Sequence, residues 1–154
     1  MSATEHTQAA TRLDGTSLDD GGLRRIAWLL LFVAVTLGVA SALHLSGNVH
    51  GAAPFDPDHA GIAEAVIGVV LAACASIMLR APARARAAGL TGTVFAIVGF
   101  GVGLSFTTQG GHAPDIAYHV VVLPVLVAAL VALLRHKPHT VQRPHQPLHT
   151  TGTR

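Results

Sequence analysis

Apolar residues gather in four blocks: 26–45 (IAWLLLFVAVTLGVASALHL), 60–79 (AGIAEAVIGVVLAACASIML), 87–106 (AAGLTGTVFAIVGFGVGLSF) and 116–134 (IAYHVVVLPVLVAALVALL). Each has about 20 residues, which as a helix spans a hydrocarbon core of about 30 Å. Backbone inside a bilayer must satisfy its own hydrogen bonds, so each block reads as a helix. A water-soluble bundle would carry polar stripes at helical spacing, and these blocks carry almost none. The pattern predicts an all-α fold, a four-helix transmembrane bundle.

The flanks predict its orientation. Arg24 and Arg25 precede the first span, Arg80, Arg84 and Arg86 separate the second from the third, and Arg135 and Lys137 follow the fourth. The other two connections, 46–59 and 107–115, hold no Lys or Arg. Basic residues stay on the cytoplasmic side, so both termini are expected inside a cytoplasmic membrane. Trp28 would then anchor at the inner interface and Tyr118 at the outer one. Arg24-Arg25, the first block and Ala40-Ser41-Ala42 also imitate a cleaved secretory signal. The acidic leader (Asp14, Asp19, Asp20) and three further spans favour an uncleaved span. Residues 1–23 read as a disordered cytoplasmic leader and 24–135 as the membrane domain. Residues 136–154, with three prolines and with His136, His139, His145 and His149, read as a disordered cytoplasmic tail.

Composition agrees and adds one oddity. Apolar types make up 51% of the 154 residues and charged types 12%, about half the usual share of roughly 25%. That excludes a disordered chain and an ordinary soluble enzyme. One cysteine excludes an intrachain disulfide and any CxxC motif. A formal charge of +2 gives no reason to expect nucleic-acid binding. The ten histidines, however, equal Lys and Arg combined.

Small residues mark helix contacts in lipid. Gly92, Ala96, Gly99 and Gly103 share a face of the third span, as do Ala65, Gly68, Ala72 and Ala75 on the second, and Gly38 and Ala42 on the first. The face through Gly92, Gly99 and Gly103 could meet its own chain, a second copy or another membrane protein. Pro124 predicts a kink in the fourth span. Cys74 reads as a small buried apolar residue.

Three ionisable groups lie within the spans: His44, Glu64 and His119. Such groups are costly in hydrocarbon and point to function. All three fall near the outer ends of their spans, on three different helices. His50, Asp56, Asp58, His59, His112 and Asp115 thicken that layer from the loops. Asp115 and His119, four apart, share a helix face. His112 would join them only if the helix began early, against Pro114. His59 and Glu64 do not share a face. Asp58, after Pro57, is a candidate cap for the second helix.

Imidazole and carboxylate suit Zn²⁺, Cu²⁺ or Fe²⁺, and the lack of nearby thiolates disfavours Cu(I). The candidate metal ligands are therefore His44, Glu64 and His119, assisted by His59, His112 and Asp115. A single haem between His44 and His119 is a second ligand reading. The bland reading is that Glu64 pairs with His44 or His119 and pins helices together. No nucleophile–base pair or cofactor loop is visible, so binding or transport of a metal ion or proton outranks catalysis. The alternative is a non-enzymatic accessory subunit.

The stretches SALHLSGNVHG, DPDHAGIAEAVIGVVLA and GHAPDIAYHVVVLPVLVAAL together resemble small four-span integral membrane proteins of actinobacterial type, over about residues 24–135. The resemblance implies an inner-membrane location. It assigns no activity and no residue role.

Overall fold

The computed structural model describes residues 20–136 except 48, 51 and 54. Most of the expected leader and all of the tail beyond His136, including Lys137 and the remaining tail histidines, lie outside the described residues. Four helices make up the fold: α1 (Asp20–Leu45), α2 (Pro57–Arg80), α3 (Pro82–Thr107) and α4 (Ala113–Arg135). All four are long and apolar enough to cross a membrane, and no strand occurs among the described residues. Each extends beyond its apolar block by one to six residues at one or both ends, and α1 begins inside the stretch assigned to the leader.

Local chemistry sets the helix ends. Asp56 caps α2, its carboxylate accepting from the backbone N–H groups of Asp58 at 3.0 Å and His59 at 3.3 Å. Asp58 is therefore not the cap: Pro57 takes the first helical position, where its missing N–H costs nothing, and the cap falls one residue earlier. A single residue, Ala81, separates α2 from α3, and Pro82 opens the new helix. Pro114 likewise sits in the first turn of α4, beside Asp115, whose charge suits the helix N-terminus. The helices run up and down, which gathers Leu45, Pro57, Thr107 and Ala113 at one end of the bundle. Arg80, Arg84, Arg86 and Arg135 gather at the other end, where the Arg86 Nε–H donates to the carbonyl of Leu133 at 3.1 Å.

Inward positions follow a three-and-four spacing. On α1 these are Leu23, Ala27, Leu30, Ala34, Leu37, Ser41 and His44. On α4 they are His119, Val122, Leu126, Ala129 and Leu133. That spacing keeps one seam facing the neighbouring helices. The opposite faces are apolar too: Phe32, Val69, Val98 and Val121 are each at least 60% exposed. Water would penalise that surface and lipid does not. The build is that of a multi-pass membrane protein.

Glycines let the helices approach. A Cβ at Gly61 would press on His44 and Leu45, and one at Gly68 on Ala34 and Leu37, so α2 lies close against α1. A Cβ at Gly92 would stand 2.7 Å from the Cβ of Cys74, one at Gly99 would collide with Ile67, and one at Gly103 would stand 2.7 Å from Nε2 of His119. The glycine face considered above for a partner is thus used within the chain, against α2 and α4. Tyr118 also differs from the expected interfacial anchor. Its ring packs 5.7 Å from that of Phe100, and its hydroxyl pairs with Oγ1 of Thr36 at 2.8 Å, joining α4 to α1. A partly buried phenol finds such a partner in preference to leaving its hydroxyl unpaired.

Candidate functional site

The inward seams of three helices end in polar residues at the same end of the bundle. His44 continues the α1 stripe at its last turn. Glu64 lies seven residues into α2, roughly 10 Å along the helix axis. Asp115 and His119 occupy the first two turns of α4. The placement is a consequence of register: each group holds a position that would otherwise be a core apolar residue.

Three of them meet. Nδ1 of His44 lies 2.7 Å from Oε2 of Glu64, and Nε2 of His44 lies 3.1 Å from Oδ2 of Asp115. His44 and Glu64 are buried, while the Asp115 side chain retains 17% exposure. One ligand atom from each residue can be chosen so that all three lie within 4.8 Å of one another. Two hydrogen bonds from one imidazole to two carboxylates require two protons shared among the three groups. The trio then carries a net charge of −1 however those protons are divided, and no Lys or Arg occurs in the loops at this end. The ring of Phe55 stands edge-on to His44 at 6.2 Å.

His119 is adjacent but separately held. Its Nδ1–H donates to the backbone carbonyl of Asp115 at 2.8 Å. A carbonyl can only accept, so in the neutral ring Nε2 carries the lone pair. That nitrogen has no hydrogen-bond partner among the described residues and faces Gly103. His59 and His112 stand apart. His59 is exposed and pairs with Asp56 at 3.2 Å, and His112 is the exposed residue preceding α4. The structure thus brings together His44, Glu64 and Asp115, places His119 one turn deeper, and leaves His59 and His112 at the rim.

A cleft of about 540 Å³ opens beside the cluster between α2 and α3, and His44, Glu64, Asp115 and His119, with Asp56, His59 and Thr107, form its polar end. Four of the chain's five phenylalanines, Phe55, Phe95, Phe100 and Phe106, line it. The sequence reading did not single them out. Their signal lay in the spacing of Phe95, Gly99, Val102, Gly103 and Phe106, which is one face of a helix. A second crevice, of about 380 Å³, lies between α1 and α4, and His50 and His112 line it together with His44 and Asp115.

No protein-family model, curated protein or solved structure matches the chain.

Proposed function

We propose that the protein binds a divalent metal ion at the cluster of His44, Glu64 and Asp115, with His119 as a further ligand, as a step in handling that ion at the outer face of a cytoplasmic membrane. The observation that supports this best is the meeting of one imidazole and two carboxylates from three helices, next to a solvent-sized space. Nitrogen and oxygen donors of this kind suit Zn²⁺, Cu²⁺ or Fe²⁺. A ring nitrogen serves one ion, so binding replaces one of the two His44 hydrogen bonds with a metal bond. The remaining carboxylate then orients the ring, an arrangement common to metal-bound histidines. His119, with Nδ1 fixed on a carbonyl, offers Nε2 in the form a metal needs. Bound metal takes the place of a shared proton, so binding releases protons.

Titration of the detergent-purified full chain with Zn²⁺ tests this. Saturable binding with proton release is expected, weakened about tenfold or more by Glu64→Gln and by His44→Gln, a loss of roughly 1.4 kcal/mol or more. Absence of binding, or affinity in both variants unchanged from the wild type, removes the proposal.

A second reading has its own support. Both ring nitrogens of His44 are already satisfied, so the trio also serves as a three-helix clasp in an accessory subunit. That reading expects the same variants to lower thermal stability while Zn²⁺ leaves the unfolding temperature of the wild type unchanged. A resident metal ion raises that temperature.

A further inference from the structure

The cleft beside the cluster has a shape and wall chemistry that a bare metal ion does not use. Its volume falls in the range that encloses a small organic molecule, roughly 300–1,000 Å³. Its rim along α2 and α3 is formed by Val66, Phe95 and Phe106, all exposed on apolar helix faces, while the exposed Asp56 and His59 line it at the cluster end. In a bilayer such a rim opens sideways into lipid. Its inner end is acidic, with Glu64 and Asp115 behind aromatic walls, and no Lys or Arg lines it. Phenyl faces attract cations, and carboxylates at the end of a low-dielectric passage do so more strongly. A neutral lipid chain would gain from the walls alone, and an anion would be repelled at the end.

We propose that the cleft between α2 and α3 binds a lipophilic organic cation, with its apolar body against Phe95, Phe100 and Phe106 and its charge at Glu64 and Asp115. The proposal rests on the reading of the cluster as a cation site, though not on the identity of the metal. Gly99 and Gly103 contribute by leaving Val102 as the one side chain on that face of α3 between Phe95 and Phe106. Cation and metal draw on the same carboxylates, so each is expected to displace the other.

Tetraphenylphosphonium and tetraphenylborate, matched in size and opposite in charge, are the probes. The full chain in nonionic detergent is titrated with each, and with Zn²⁺. Saturable binding of the phosphonium alone is expected, displaced by Zn²⁺. Phe95→Ala, at a rim position that is not packed in the core, is expected to weaken the phosphonium about tenfold and leave Zn²⁺ affinity unchanged. Glu64→Gln is expected to weaken both. Equal binding of the two tetraphenyl ions would overturn the proposal, because the cleft would then select for apolar bulk alone. Zn²⁺ binding with no phosphonium binding overturns it and leaves the metal reading standing. Loss of both ligands in the wild type overturns both. An unchanged phosphonium affinity in Phe95→Ala and Glu64→Gln places the probe elsewhere and also ends the proposal.

Discussion

At the scale of single residues, His44 carries the most consequence. It is 2% exposed and bridges two carboxylates on two other helices. Replacing Glu64 with Leu leaves the buried Nδ1 side of the ring without its partner. A buried polar group left unpaired costs about 1–3 kcal/mol, so thermal unfolding in detergent should show a clear loss of stability. The exposed His59–Asp56 pair makes the control: His59→Ala should fall within about 0.5 kcal/mol of the wild type. A comparable loss in both variants would mean that burial does not set the value of these pairs. Sequence reasoning placed His44, Glu64 and His119 at similar depth, because depth follows from position within an apolar block. It could not choose which of them touch. Asp115 looked like a loop residue assisting from outside, yet its side chain takes one side of His44. His119, expected in the front rank, instead folds back onto its own helix. Contacts of this kind depend on helix rotation, and rotation is hidden where both faces of a helix are apolar.

At the scale of elements, the four spans were legible to within a few residues, while their ends were not. Hydropathy reports only the stretch that would meet hydrocarbon. Helical hydrogen bonding continues past it, to Asp20 on α1 and to Pro57 on α2, until a cap or a proline intervenes. The inward seam was legible only in part. Its three-and-four spacing is written in small and leucine residues on α1, but the outward faces are equally apolar and mask it. Glycines then decide how closely the elements pack. Gly92→Leu would drive a side chain into Cys74, and α2 and α3 would have to part. Overpacking of this kind costs about 1–3 kcal/mol. We expect a lower unfolding temperature and faster maleimide labelling of Cys74, with the oligomeric state unchanged. Gly101 offers the opposite case. Nothing lies within 4 Å of a Cβ placed there, so Gly101→Ala should gain up to about 1 kcal/mol from helix propensity alone. A loss at Gly101 would mean that this face is covered by a partner.

At the scale of the whole molecule, two unlike ends define how the chain would sit in a membrane. One end gathers Arg80, Arg84, Arg86 and Arg135; the other gathers the His/Glu/Asp cluster, both openings beside it, the acidic cap Asp56 and the first-turn Asp58. The two connections at the cluster end are tied together, the Ala52 N–H donating to the carbonyl of Gly110 at 3.0 Å. They should therefore take the same side of the membrane. Basic residues are retained in the cytoplasm, so the cluster end should face outward. Cysteine scanning in a Cys74→Ala background measures this directly. Gln109→Cys, exposed beside the cluster-end turn, should react with a membrane-impermeant maleimide applied to intact cells. Arg84→Cys, exposed at the opposite end, should react only after the membrane is opened. The reverse pattern would turn the cluster toward the cytoplasm, and any ion held there would be drawn from the internal pool. Labelling of both positions in intact cells would mean that the chain inserts both ways. Arg84→Cys removes one of the charges that set the orientation, so Ala83→Cys, also exposed and one residue away, is the companion that keeps every arginine in place.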